Sequence, residues 1–269
     1  MPEGPEIFLA ARRVHEAVAE QPSTVKLLCP TIAAKARSLR GVPIKRVHAR
    51  SKAMLTEFAN GIVLYSHNQL YGEWMVHAAG EPLLKKQVRL IITTAQHQTA
   101  LYSATDFAWL RAGKEEEHPY IAKLGPEVLS SEVSPIQIAH RLAQFPRRFI
   151  ADALLDQHVL AGLGNYLRAD ILLVAKINPL RKISSLSPQE LMRIARACKL
   201  LTQRSIQRQG VVCPWAQYTA ARKSGADYEA ARFYAFDREG APCWECSTPI
   251  ARITHSGRGL FFCPACQAS

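Results

Sequence analysis

The chain has 269 residues and carries 34 Lys and Arg against 22 Asp and Glu, a formal charge of +12 at pH 7. Its 48 % hydrophobic content supports two packed domains, or one with a small appendage, and no internal repeat or low-complexity tract interrupts it. No run approaches the ~20 apolar residues of a membrane span and no secretory signal precedes the first helix, so the sequence predicts a soluble cytoplasmic protein, and its positive charge favours a polyanionic partner.

In chain order, Pro2 and Glu3 come first. Proline after an initiator methionine predicts removal of Met1, which leaves a secondary amine beside a carboxylate. An α-amino group titrates near ~7.7–8.0 against ~10.4 for lysine, so at pH 7 roughly a tenth of the terminus is neutral and nucleophilic, compared with about 0.04 % of a lysine. Such an amine can form an iminium with an electrophilic carbon. The plain alternative is that Pro5 and Glu6 merely begin a helix. An amphipathic helix is expected over 5–20, from Ile7, Leu9, Ala10, Val14, Ala17 and Val18 at helical spacing.

Short apolar or alternating segments follow at 24–29, 42–49, 53–58, 62–67, 73–78, 87–94 and 99–104, with Asn60-Gly61 as a hairpin signal. They predict an antiparallel β-sandwich or barrel with the first helix packed on it. Lys52 lies at the start of one strand, where lysine ordinarily serves solubility. Gln69-Leu70-Tyr71-Gly72 ends a polar run in a turn of exposed type. Leu70 and Tyr71 there suit either burial in the core or a wedge pushed into a base stack.

The composition turns polar over 113–133, with Glu115-Glu116-Glu117 expected as a solvated surface, and the domain linker is placed there. Helices are then expected from Ser134-Pro135, over 147–157, from Asn165 to Ala175, and from the capping box Ser187-Pro188-Gln189-Glu190 to Arg208. Gly162-Leu163-Gly164-Asn165 permits a tight bend before a helix N-terminus, which serves equally a plain helical hairpin or an anion site with Asn165 as a further donor. Residues 209–232 read as a long loop. Four of the seven cysteines form Cys243-x2-Cys246, sixteen residues, then Cys263-x2-Cys266, the spacing of a four-thiolate zinc ribbon. Four thiolates close a tetrahedral shell, so one structural Zn2+ is expected. The polar tip between the pairs carries Arg258, free to meet a phosphate or simply solvent. Cys29 and Cys198 read as reduced, buried fillers.

Together, Pro-Glu-Gly-Pro-Glu at 2–6, Lys52, Tyr-Ser-His-Asn-Gln-Leu-Tyr-Gly at 65–72, Gly-Leu-Gly-Asn-Tyr-Leu at 162–167 and the ribbon with Arg258 resemble the formamidopyrimidine-DNA glycosylase/endonuclease VIII family, its endonuclease VIII branch most of all. The resemblance spans nearly the whole chain. It implies an α+β multidomain protein: a catalytic β-sandwich over 1–124, a helix–two-turns–helix DNA-binding domain over 125–232 and a zinc finger over 233–269. It also implies base excision on duplex DNA containing oxidised bases or abasic sites, by a monomeric, bacterial, nucleoid-associated enzyme. By resemblance Pro2 is the Schiff-base nucleophile, Glu3 the proton donor to the sugar, and Glu6 a helper of the nucleophile. Lys52 is a proton donor and phosphate contact, and Gln69, Leu70 and Tyr71 fill the void left by the extruded nucleotide. Gly164, Asn165, Lys123 and Arg258 contact DNA, with Arg258 also acting in δ-elimination.

Two positions depart from the family pattern. Lys123 stands where an arginine is expected before Gly125-Pro126, and Asp170 where a glutamate is expected after the glycine bend. Oxidised pyrimidines are the leading substrate class. The alternatives are an 8-oxoguanine- or formamidopyrimidine-directed enzyme, a non-catalytic zinc-ribbon DNA-binding protein, and a general nuclease. The last lacks a carboxylate cluster suited to Mg2+.

Overall fold

A computed structural model describes residues 2–28, 33, 35–84 and 86–268; Cys29 lies outside them. The chain divides into two compact units, Met1–Lys123 and Leu124–Ser269.

Unit 1 begins with helix α1 (Gly4–Val18), whose first turn contains Pro5, a position where the missing N–H costs nothing. Ile7, Ala10, Ala11, Val14, Ala17 and Val18 fall on one face and are buried. Among the described residues eight antiparallel strands follow: β1 (Pro22–Leu27), β2 (Val42–Arg50), β3 (Ala53–Phe58), β4 (Ile62–His67), β5 (Glu73–Ala78), β6 (Val88–Thr93), β7 (His97–Tyr102) and β8 (Asp106–Arg111). Their order is β5-β7-β6-β1-β2-β3-β4-β8. The joint between β1 and β2 is only two residue pairs long, Pro22 with Pro43 and Ser23 with Val42. The sheet therefore folds into two four-stranded layers, a sandwich with α1 packed against it.

Strand β8 was not expected. It sits at the edge beside β4, in register from Ile62 with Arg111 to His67 with Asp106. Phe107 and Trp109 pack on one hydrophobic cluster while Ala108 and Leu110 pack on the other, so apolar residues occur on both faces and the alternation that marks a half-buried strand is missing. The glutamate run forms a short 3₁₀ turn with no buried residue, the solvated surface expected of it, on which Glu116 pairs with Arg50 at 2.8 Å and Glu117 with Lys114 at 2.9 Å.

Unit 2 contains α2 (Pro135–Ala143), α3 (Ile150–Leu155), α4 (Asn165–Val174), α5 (Pro188–Gln207), α6 (Trp215–Lys223), α7 (Tyr228–Ala231) and the hairpin β9 (Ala251–His255) and β10 (Arg258–Phe262). Ser134 with Gln137 and Ser187 with Glu190 form the reciprocal capping boxes that start α2 and α5. The helix expected over 147–157 is shorter. Phe149 is extended and bridges Lys182, and Ile150 N–H donates to Arg181 O, so the helix starts only at Ile150. The loop expected over 209–232 is instead two helices. No residue of α6 is buried, so the apolar stripe that announces a helix is absent; Pro214 at its N-cap and Gly225 (φ +94°) beyond its C-cap bound it. The hairpin residues Cys243, Leu260, Phe261 and Cys263 belong to the same hydrophobic core as α2, α4 and α5, so ribbon and helices form one packed body.

Candidate active site and nucleic-acid interface

In unit 1, Pro2 is half-buried at the mouth of α1. Glu3 is the N-cap, only 3 % exposed, and joined to Glu6 in a capping box in which Glu3 N–H donates to Glu6 Oε2 at 3.0 Å. Glu6 thus holds the backbone on which Pro2 and Glu3 are presented, and the three lie together.

Lys52 is 8 % exposed, not the solvated edge lysine that its position suggests. It occupies the two-residue turn between β2 and β3, where Ser51 takes φ +57° and Arg50 pairs with Ala53. Tyr120 ties this turn down: its O–H donates to Ser51 Oγ at 3.2 Å and accepts from Lys52 N–H at 3.4 Å. Ala53 is in register with His67, and His67 with Asp106, so the Lys52 turn and the 68–72 turn project from the same end of the sheet.

The 68–72 turn is built to hold its shape. Gly72 N–H donates to Asn68 O at 2.7 Å, and Asn68 Nδ2 donates to Gly72 O at 3.1 Å. The closure requires glycine, because a Cβ at residue 72 would lie 2.3 Å from Asn68 O. Gln69 adopts φ +56°, a left-handed conformation costly for a residue with a Cβ. Its N–H donates to His67 Nδ1 at 2.9 Å, and its Oε1 accepts from Thr105 N–H (3.1 Å) and Thr105 Oγ1 (2.8 Å). Leu70 and Tyr71 then project, 49 % and 78 % exposed, which rules out their burial in the core. His67 must keep Nδ1 unprotonated to accept. Burial lowers its pKa; Asp106 opposes the shift and Lys52 adds to it. The Tyr120 ring meets His67 edge-on at 5.2 Å, and beside them Tyr65 stacks with His118 at 4.0 Å and donates to Asp106 at 3.4 Å. Lys123 stands exposed at the end of the 3₁₀ turn Ile121–Lys123.

In unit 2, Gln157 shapes the glycine bend. Its Nε2 donates to Leu155 O and Leu163 O, and its Oε1 accepts from Gly162 N–H, where Gly162 takes φ +96°. Gly164 is the N-cap of α4 and Asn165 its first residue. Asn165 Nδ2 donates to Gly259 O at 3.1 Å, and the fully buried Arg168 donates from Nη2 to the same carbonyl at 3.0 Å. The structure thereby places Asn165 next to the Arg258–Gly259 segment, 94 positions away in sequence. Arg258 is exposed and lines an open concavity with Arg147, Arg148, Phe149, Asp152 and Ser256.

Asp170, on the same helix, accepts from the N–H groups of Tyr234 (2.8 Å), Ala235 (2.8 Å) and Phe236 (3.0 Å) and so docks the chain entering the ribbon. Burial raises its carboxyl to about 6, against the pull of those three amides and Arg238. The shorter acid is therefore fully used.

The Sγ atoms of Cys243, Cys246, Cys263 and Cys266 lie within 4.8 Å of one another. Two of the separations, Cys246–Cys263 and Cys243–Cys266, are 3.5 and 4.0 Å. A tetrahedral ion with Zn–S of about 2.3 Å sets sulfurs roughly 3.8 Å apart, so the four fit one zinc with no open position. The metal is structural.

His67, Thr105, Tyr120, Gln157, Arg168 and Asp152 were not singled out as site residues by sequence. Only His67, inside the 65–72 motif, carried a local signal. The others act across 36 to 104 positions or through turns without periodicity.

Three family models match the chain: the formamidopyrimidine-DNA glycosylase N-terminal domain over 1–107, the formamidopyrimidine-DNA glycosylase H2TH domain over 124–214, and the zinc finger found in FPG and IleRS over 240–268. The chain is 38 % identical to endonuclease 8 of Pectobacterium atrosepticum over 272 residues, covering all of both proteins. It is also 38 % identical to endonuclease 8 of Escherichia coli over 271 residues, covering 99 % of this chain and 100 % of that one. Its fold resembles Lactococcus lactis formamidopyrimidine-DNA glycosylase bound to abasic-site DNA (TM-score 0.83, 21 % identity, 99 % and 100 % covered) and MutM in complex with DNA containing carbocyclic 8-oxo-G (TM-score 0.84, 21 % identity, both fully covered). The chain belongs to the formamidopyrimidine-DNA glycosylase/endonuclease VIII family of DNA glycosylases and AP lyases.

Proposed function

We propose that this family member removes oxidised pyrimidines from duplex DNA and nicks the strand by β,δ-elimination, acting as a monomer in the bacterial cytoplasm on nucleoid DNA. The observation that carries this reading is the pinned 68–72 turn, which thrusts a leucine and a tyrosine into solvent beside a nearly buried lysine. Exposed apolar side chains on a rigid turn suit insertion into a base stack, and extruding the damaged nucleotide costs a few kcal/mol that such a wedge offsets. No helix among the described residues is long and apolar enough to cross a membrane.

In the proposed reaction the Pro2 nitrogen, freed by loss of Met1, attacks C1′ with its lone pair. Glu3 donates its proton to the ring oxygen, the C1′–O4′ bond opens, and the base leaves with the electrons of its glycosidic bond, taking up the proton that the Pro2 nitrogen gives up as the iminium forms. The resulting iminium withdraws electrons, so a C2′ proton is lost and the 3′-phosphate departs. A second proton loss expels the 5′-phosphate, and water then releases Pro2. The capping box holds Glu3 beside Pro2, while Lys52 serves as phosphate contact and proton donor. Asn165, the α4 N-terminus at Gly164, Lys123 and Arg258 contact phosphates, and the charge of +12 steers the polyanion. The zinc takes no part in bond making; its chemistry is to hold the hairpin.

The test is side-by-side cleavage of duplexes bearing thymine glycol, 5-hydroxyuracil or 8-oxoguanine opposite cytosine. Faster single-turnover excision of the pyrimidine lesions is expected. Preference for 8-oxoguanine would overturn the substrate assignment.

A further inference from the structure

The hairpin that carries Arg258 has a mechanical problem. Its zinc ligands flank the far ends of β9 and β10, and five residues at about 3.3 Å each put the tip roughly 15 Å from the metal. Leu260 and Phe261 seat β10 in the helical core, but residues 255–258 lie beyond both that packing and the metal, and a two-stranded turn is marginal alone.

Two clips fix the tip. Asn165 and Arg168 hold Gly259 O, one residue after Arg258. On the other side Asp152 leaves its own helix to grip the tip. Its Oδ1 lies 3.0 Å from His255 Nε2 and accepts from Ser256 Oγ at 3.1 Å, while Oδ2 lies 3.1 Å from the same imidazole nitrogen. His255 is the register partner of Arg258 across the turn, and its ring meets Phe149 edge-on at 5.5 Å.

Asp152 also lines the concavity of Arg147, Arg148 and Arg258, as does Asp156, whose carboxylate is paired with Arg148. A carboxylate there works against any bound phosphate. Charge alone therefore gives no reason for its presence; the contacts to His255 and Ser256 do. We infer that Asp152 is a positioning residue for strand cleavage, locking the zinc-hairpin tip onto α3 so that Arg258 is held ready for a DNA phosphate. This rests on the phosphate-contacting role proposed above for Arg258.

The experiment measures, for the full-length zinc-loaded protein, affinity for a duplex containing a stable abasic analogue and the ratio of δ- to β-elimination products from an abasic substrate. The proteins are wild type, Asp152→Ala, Asp152→Asn, Arg258→Ala and the double variant with alanine at both positions. Zinc content and amide exchange at 254–258 are followed in parallel. Asp152→Ala should weaken binding roughly tenfold, shift products towards β-elimination, speed exchange at the tip and keep one zinc per chain. Asp152→Asn, which retains the acceptor oxygen and loses the charge, should bind as well as wild type or better. The double variant should be no worse than Arg258→Ala, because Asp152 acts through it. If Arg258→Ala weakens binding while Asp152→Ala binds unchanged or tighter, or if tip exchange does not move, the positioning role is overturned. If Arg258→Ala itself leaves binding and δ-elimination unchanged, the phosphate reading fails, and this inference fails with it.

Discussion

His67→Ala removes the acceptor that holds Gln69 in its left-handed conformation. The lost bond is 2.9 Å long and contributes about 1 kcal/mol. Gln69 at φ +56° sits about 1 kcal/mol or more above its relaxed backbone, so without His67 it tends to leave that state. The Asn68–Gly72 closure and the Thr105 bonds remain, which limits the total loss to about 1–2 kcal/mol. At about 1.4 kcal/mol per tenfold, the equilibrium between the preformed wedge and its relaxed alternatives shifts some 5–30-fold towards the latter. Stopped-flow fluorescence of 2-aminopurine placed opposite the lesion reads extrusion directly, and its rate should fall by up to that factor, with Leu70→Ala as a positive control. The effect has a pH signature. His67 has its pKa lowered by burial, so the neutral form is favoured by folding; its contribution is complete above about 6.5 and lost as pH falls through the lowered value. The groups facing it are Asp106, Lys52 and the Tyr120 ring. Wild-type extrusion should therefore slow once acidification passes below the ordinary imidazole value of about 6.5 and reaches the lowered one, converging on the rate of His67→Ala. Equal extrusion by both proteins at pH 7.5, in the presence of a Leu70→Ala defect, would refute the reasoning.

Gly72→Ala should destabilise unit 1 by about 1–3 kcal/mol and lower its melting temperature, because the new methyl meets backbone and not a movable side chain; an unchanged thermal unfolding curve would show that the turn is open. Zinc chelation should abolish DNA binding and lower the unfolding transition of unit 2, whose core includes Leu260 and Phe261, while the sandwich transition stays in place; calorimetry with and without chelator checks this. Duplex affinity should fall with salt at a log–log slope of roughly −4 to −5 if about five phosphates are neutralised, and a slope near zero would contradict the assigned contacts.

What the sequence discloses follows from the range of the interactions involved. Capping at Ser187-Glu190, the Asn60-Gly61 hairpin and the paired cysteines are local chemistry, and the structure has each where the residues imply it. Strand β8 and helix α6 escape notice for opposite reasons. The first carries apolar residues on both faces and the second buries none, so neither has a period to detect. The site divides in the same way. The exposed Leu70 and Tyr71 and the cysteine cluster announce themselves by being wrong for a plain loop or by spacing. Asp152 gripping His255, Thr105 gripping Gln69 and Gln157 shaping the glycine bend are ordinary residues until the fold brings them together.

The central claim is that the Pro2 amine becomes covalently joined to sugar carbon. Borohydride reduction during turnover on abasic-site DNA, followed by peptide mass mapping of the adduct, tests it most directly. The account predicts a chain lacking Met1 with the sugar remnant on Pro2. An adduct mapped to Lys52, or active protein that keeps Met1, would contradict it.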